Sequence, residues 1–151
     1  MERNHMELHF LSQSQNESFA RAVAAAFAVQ LNPTIEELSD IRTAISEAVT
    51  NAIIHGYENR RDGMVVLTCD IEDNAFIATV TDQGCGIRDV ELARRPFYTT
   101  RPELERSGMG FAVMEAFCEE VRVESAVGRG TTVTLKKEIS HSNATYEPDN
   151  A

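Results

Sequence analysis

The stretch Thr34-Ile35-Glu36-Glu37-Leu38-Ser39-Asp40-Ile41-Arg42-Thr43-Ala44-Ile45-Ser46-Glu47-Ala48-Val49-Thr50-Asn51-Ala52-Ile53-Ile54-His55-Gly56 decides how this chain folds. Thr34 followed three residues later by Glu37 is a capping box, in which a hydroxyl and a carboxylate each satisfy a backbone N–H at a helix start. Leu38, Ile41, Ile45, Ala48, Val49 and Ala52 then recur at helical spacing and form one apolar face. Gly56 is the expected C-terminal stop. Glu47, Asn51 and His55 lie four apart, in a slowly drifting polar stripe roughly opposite Leu38, Ile41 and Ile45. Two readings fit that stripe. It is a solvated helix face, or it pairs a proton-accepting carboxylate with an amide oxygen able to coordinate a hard cation. Spacing alone leaves both open.

Outward from this helix, the chain alternates strands and helices. Met6, Leu8 and Phe10 alternate with polar residues and predict a first strand. Asn16 to Leu31 predicts a helix with Phe19, Val23, Phe27 and Leu31 four apart on one face, ended by Asn32-Pro33. Beyond the turn at Arg61-Asp62-Gly63, Met64 to Ile71 and Ala75 to Thr81 predict a hairpin around Glu72-Asp73-Asn74. Asp89 to Arg94 predicts a short helix before Pro96. Phe97 to Gly110 then reads as a long loop, functional or disordered. Phe111 to Cys118 predicts a helix, and Glu120 to Ser125 with Thr131 to Glu138 a last hairpin around Gly128-Arg129-Gly130. The polar end, residues 140–151, is expected to be a disordered tail after a domain spanning 1–139. The order β-α-α-β-β-loop-α-β-β predicts an α+β two-layer sandwich, with helices on one face of a mixed, mainly antiparallel sheet.

Composition narrows the function. The chain has 151 residues and a formal net charge of −10, which argues against direct nucleic-acid binding and is compatible with a basic protein partner. No apolar run is long enough to span a membrane, and the N-terminus lacks the apolar core of a signal peptide, so a cytoplasmic location is expected. Cys69, Cys85 and Cys118 are odd in number and lack C-x-x-C spacing, which speaks against a zinc site or a disulfide framework.

Three further motifs carry possible chemistry. Asp82-Gln83-Gly84-Cys85-Gly86 follows the second strand of the first hairpin. It is a simple turn, or a place where glycines admit a flat ligand and the aspartate accepts a base amino group. Ser107-Gly108-Met109-Gly110 precedes a helix. It is a hinge, or a run of N–H donors for phosphate, with Arg101 and Arg106 nearby. Gly130-Thr131-Thr132 is a hairpin element or part of a pocket lining. No G-x-x-x-x-G-K-[ST] motif is present, which excludes a Walker-type phosphate loop.

Taken in order, these motifs resemble the GHKL superfamily of ATPases and kinases. Glu47-x-x-x-Asn51 matches its N box, Asp82-x-Gly84-x-Gly86 its G1 box, Gly108-x-Gly110 its G2 box, and Gly130-Thr131-Thr132 its last glycine-threonine motif. Within it, Ser46 to Tyr57 and Phe97 to Phe111 resemble the anti-sigma-F kinases of sporulation, and the similarity runs from about Met6 to Lys137. The resemblance implies a Bergerat-type ATP or ADP site under a lid at Phe97 to Gly110. It gives Asn51 the Mg²⁺, Asp82 the adenine amino group, and Gly84 and Gly86 the base pocket, with Thr131 or Thr132 beside it. Thr99, Thr100, Arg106, Gly108 and Gly110 fall among the nucleotide-binding positions. Glu47 becomes the general base for a serine on an anti-anti-sigma protein. The resemblance further implies a homodimer that sequesters an RNA polymerase sigma factor, sigma-F, with Arg21 and its helix in docking. An exposed arginine on an amphipathic helix is the plainer reading of Arg21. The competing functions are a binding-only adaptor that keeps ATP as a structural ligand, and an ATP hydrolase in which Glu47 activates water. A sensor histidine kinase is disfavoured, because His5, His9, His55 and His141 lie outside any helical dimerisation module.

Overall fold

In the computed structural model, which describes residues 3–95 and 110–140, β1 (Arg3–Leu11), β2 (Met64–Glu72), β3 (Ala75–Asp82), β4 (Glu120–Ala126) and β5 (Gly130–Glu138) form one sheet. The strand order is β1-β2-β3-β5-β4, and every pairing is antiparallel, so the expected mixed sheet is antiparallel throughout the described residues. The two hairpins account for two of the pairings. The chain between β3 and β4 then carries β4 to the far edge, and β5 returns beside β3.

Strand periodicity sorts the sheet into two faces. On β3 the inward row is Phe76, Ala78, Val80 and Asp82, all buried. The outward row is threonine-rich. The Thr68 and Thr79 hydroxyls bond to each other, and those of Thr81 and Thr132 lie 3.2 Å apart. Asp82 thus prolongs an apolar row with a carboxylate, where the core gives way to a cavity.

The helices α1 (Gln15–Ala28), α2 (Ile35–Asn51), α3 (Val90–Ala93) and α4 (Gly110–Phe117) include the elements that cover the inward face. Ile41, Ile45, Ala48 and Val49 of α2 are buried as the periodicity predicts, and each large aliphatic side chain contributes about 1.5–3 kcal/mol. The capping box is complete. The Glu37 N–H donates to Thr34 Oγ1 at 3.0 Å, and the Thr34 N–H to Glu37 Oε1 at 2.9 Å. The other Glu37 oxygen accepts the Ser140 N–H at 2.9 Å, so one carboxylate ties the helix start to the end of the described chain. Burial alone would raise the Glu37 carboxyl, but the donors on Thr34 and Ser140 outweigh it and hold it below its usual value. A depressed carboxyl contributes stability that is present above its unfolded pKa and lost as pH falls through the folded one. Glu37→Ala is expected to cost about 1–2 kcal/mol at neutral pH in urea unfolding, with a smaller difference in acid.

The most buried row of α1 lies one residue along from the Phe19-Val23-Phe27 row, although Phe27 still packs partly against the core. Ala20, Ala24 and Ala28 are fully buried, whereas Phe19 is 53% exposed. Residues four apart drift by about 40° per step, so a row defined by that spacing leaves a face within three steps. The alanines win because α1 lies against α2, where small side chains let the backbones approach. Leu31 is buried in the short 3₁₀ turn Val29–Leu31 that follows.

The helical run of α2 ends at Gly56, as expected, but without a left-handed cap there. Its last turn, Ala52–Gly56, is π-helical, closed by the Tyr57 N–H on the Ala52 carbonyl at 3.0 Å. The left-handed residues come later, at Glu58 and Asn59. Among the described residues, no helix is long and apolar enough to cross a membrane.

Candidate functional site

A cavity of about 690 Å³ opens where α2 and its π turn, the ends of β3 and β5, and the helices α3 and α4 meet. That volume suits a ligand of cofactor size. Val80, Asp82 and Thr131 of the inward strand rows floor it, Asn51 and His55 form one wall, and Leu92 stands opposite. Arg94 holds the α3 side in place. Its Nε donates to Glu115 of α4 at 2.8 Å, and its guanidinium also reaches the Val121 carbonyl at 2.9 Å.

Asp82 is the buried ionisable group in this wall, only 5% exposed. Its Oδ1 accepts the Gly84 N–H at 2.9 Å, and the Thr131 N–H also faces the carboxylate. Burial overrides these donors and pushes the carboxyl up to about 6. The folded protein therefore binds this proton more tightly than the unfolded chain, and Asp82 subtracts stability as pH rises from 3.8 to about 6. A carboxylate kept buried at such a cost, facing a cavity, is a candidate for ligand recognition.

The loop after Asp82 is stitched on both sides. The Cys85 N–H donates to the Gly56 carbonyl at 2.9 Å, and the Gly128 N–H to the Cys85 carbonyl at 2.8 Å. A Cβ on Gly84 would lie 1.9 Å from the Gly56 carbonyl oxygen, so only glycine fits there. Cys85 is exposed but donates its thiol to the His55 carbonyl at 3.0 Å, and partial desolvation, with the Glu58 and Asp82 carboxylates nearby, raises its pKa. Cys69, Cys85 and Cys118 are all free, and no group of three or more His, Cys, Asp or Glu that could hold a metal occurs among the described residues.

The structure brings together Asn51, Asp82, Gly86, Gly110 and Thr131, all on the cavity. Asn51 and Gly110 are in close contact, since a Cβ on Gly110 would lie 3.0–3.1 Å from the Asn51 carboxamide atoms. Gly84 packs beneath the loop against Gly56 rather than in the wall. Strand alternation gives Thr131 to the cavity and turns Thr132 outward onto Thr81. Glu47 is half-buried one helical turn before Asn51 and is not part of the cavity wall. Arg21 lies away from the cavity on α1, where it pairs with Glu17 at 3.7 Å. Thr99, Thr100, Arg106 and Gly108, like the expected lid and the tail beyond Ser140, lie outside the described residues.

Sequence reasoning missed Leu92 and the packing role of Gly56. Nothing in the spacing marks Leu92 as a wall residue. Gly56 at the end of α2 reads in the sequence as a helix stop, with no sign of the loop it packs against.

A family model described as "Histidine kinase-like ATPase domain" matches residues 11–137. A protein named "Anti-sigma F factor" from Geobacillus kaustophilus is 58% identical over 142 residues, covering 94% of this chain and 97% of its own. Proteins of the same name from Clostridium novyi and Bacillus velezensis are 55% and 53% identical, with 97% of each covered. The fold is similar to a solved structure of the RsbU and RsbW domains of a Mycobacterium tuberculosis protein, with TM-score 0.65 and 23% identity over 90% of this chain, which spans 32% of that one. The nearly full-length coverage at this identity, on a fold whose cavity gathers Asn51, Asp82 and Gly86, places the chain in the histidine kinase-like ATPase (GHKL) superfamily, and within it the chain belongs to the anti-sigma F factors.

Proposed function

We propose that this chain holds a sporulation sigma factor, sigma-F, and is also an ATP-dependent serine kinase that inactivates the corresponding anti-anti-sigma protein. The observation that carries the nucleotide reading is the buried Asp82 carboxylate at the floor of a cavity walled by Asn51. In this reading Asp82 accepts the adenine amino group, and Gly86 and Thr131 border the base, with Gly84 fixing the loop beneath. Asn51 holds Mg²⁺ through its amide oxygen, a hard donor suited to that ion. Bound Mg²⁺ neutralises charge on the phosphates. Gly110, against Asn51, brings the start of α4 to the same place, and Thr99, Thr100, Arg106 and Gly108 complete the nucleotide site. Glu47 takes the proton of the partner serine as its oxygen bonds to the γ-phosphorus and the bond to the ADP oxygen breaks.

The test is transfer of labelled γ-phosphate from ATP to the anti-anti-sigma protein in the presence of Mg²⁺. Label on a partner serine supports the kinase, and free phosphate in its place points to a hydrolase. Tight nucleotide binding with no label anywhere favours a binding-only adaptor. That second reading draws support from the position of Glu47 outside the cavity wall.

The Asp82 titration gives a pH signature. An amino donor needs the ionised carboxylate, so nucleotide affinity is expected to be level above its pKa of about 6 and to fall below it. The limiting slope is about tenfold per pH unit for one proton, and titration calorimetry of ADP on Asp82→Asn should show that component gone.

Partner docking is assigned to α1, where Arg21 is partly exposed and pairs with Glu17 one turn before it. A dimer presenting two such helices is part of the same proposal. Arg21→Glu is expected to weaken partner binding about tenfold or more through charge reversal, with ATP affinity unchanged. Surface plasmon resonance with the sigma factor measures this, and unchanged partner affinity would remove Arg21 from the interface.

A further inference from the structure

Gly56 and Tyr57, at the end of the π turn, have no part in the proposed reaction, yet they touch each residue of the loop from Asp82 to Cys85. A Cβ on Gly56 would lie 2.7–2.8 Å from the Asp82 carboxylate atoms, so the Gly56 backbone lies directly against that group. The Tyr57 hydroxyl accepts the Gln83 N–H at 2.7 Å. Gly84 packs flush on the Gly56 backbone, and the Gly56 carbonyl accepts the Cys85 N–H.

Tyr57 is built as a fixed point. It is 3% exposed, and its hydroxyl also donates to the Met64 carbonyl, so both its donor and its acceptor capacity are used. Gly63 packs on its ring, where a Cβ would come within 2.5–2.6 Å of ring carbons. The Arg60 guanidinium lies 6.0 Å from the ring centroid. Sheet pairing of β3 ends at Asp82, opposite Val65 and Thr131. Past that residue the ladder no longer holds the chain, and the Tyr57 hydroxyl takes over at Gln83.

We propose that Gly56 and Tyr57 are positioning residues that aim the Asp82 carboxylate at the adenine amino group and thereby set the base selectivity of the site. The inference rests on the reading of Asp82 as the base acceptor. A carboxylate aimed at one N–H donor discriminates only while its position is held closely. Loosening the clamp therefore costs ATP binding and leaves purines without the amino group unaffected. A residue that merely supported the fold would weaken every ligand alike.

Calorimetric titrations of ATP, purine riboside triphosphate and inorganic tripolyphosphate into the wild type, Tyr57→Phe and Gly56→Ala test this. Tyr57→Phe keeps the ring and removes the hydroxyl. It is expected to weaken ATP about tenfold while the other two ligands change by less than about twofold. Equal losses for all three ligands, or no loss for ATP, overturn the clamp. If Tyr57→Phe does not fold, the same ratio measured on Gly56→Ala decides, because its methyl pushes on the carboxylate with the hydroxyl in place. A wild type that binds ATP and purine riboside triphosphate equally removes the Asp82 reading itself, an outcome distinct from uniform losses in the variants.

Discussion

Glu47→Ala is expected to abolish measurable phosphoryl transfer to the partner serine while ADP affinity stays within about twofold of wild type, because general-base assistance is typically worth about 10²- to 10⁴-fold in rate. The separation of the two readouts follows from geometry. Glu47 lies one turn before Asn51 on α2 and outside the cavity wall, so it is not itself one of the groups that face the cavity. Its position on the same helix keeps the carboxylate on the Asn51 side, where a protein substrate approaching the phosphates would meet it. Transfer itself depends mainly on positioning and charge neutralisation, so the loss belongs at the lower or middle part of that range if the serine can lose its proton to water. Single-turnover assays with Glu47→Ala and Glu47→Gln beside the wild type decide it. Normal transfer by either variant would show that Glu47 is not the base. Loss of ADP binding in both would show that Glu47 acts on the nucleotide site instead.

Gly84→Ala is expected to remove ADP binding by at least about a hundredfold, an effect larger than backbone strain alone, which costs about 1–2 kcal/mol for an alanine forced to a left-handed conformation. The added methyl would stand 1.9 Å from the Gly56 carbonyl oxygen and 2.3 Å from its carbon, and these are backbone atoms that cannot rotate aside. Relief requires the Asp82 loop to lift off the π turn. That movement breaks the Cys85 N–H bond to Gly56 and withdraws the Gly84 N–H from the Asp82 carboxylate. Gly128→Ala is the matched control. Gly128 has φ +78°, but its Cβ would meet nothing within 4 Å, so only conformational strain applies. It is expected to lower the melting temperature modestly and retain ADP binding. Thermal unfolding with and without ADP measures both. If Gly84→Ala still shows a full ADP-dependent shift, the close contact with Gly56 is not required for binding.

Much of this architecture is legible in the sequence. The capping box at Thr34 and Glu37, the apolar stripe of α2 and both hairpins depend on local periodicity and on short-range hydrogen bonds, and they appear where the pattern places them. The inward direction of Asp82 was also implicit, because it shares the period of two with Phe76, Ala78 and Val80. Its association with Asn51 and Gly110 was available only through motif order, since spacing alone could not distinguish a turn from a pocket.

Elsewhere, long-range packing decided. On α1 the sequence shows Phe19, Val23 and Phe27 on one face, yet against α2 the alanines are the residues fully buried, and Phe19 is left outside. Gly56 looked like a helix stop because glycine often ends helices, but its constraint is the Asp82 carboxylate and the Gly84 backbone pressed against it from the sheet. The choice between Thr131 and Thr132 waited on the register of β5 beside β3, which sends adjacent side chains to opposite faces. The elements, their order and the chemical groups available can be read along the chain, because each depends on neighbours within a few residues. Which faces meet, which glycines admit no side chain and which threonine reaches the cavity follow from long-range packing, because they depend on atoms brought close from distant parts of the chain.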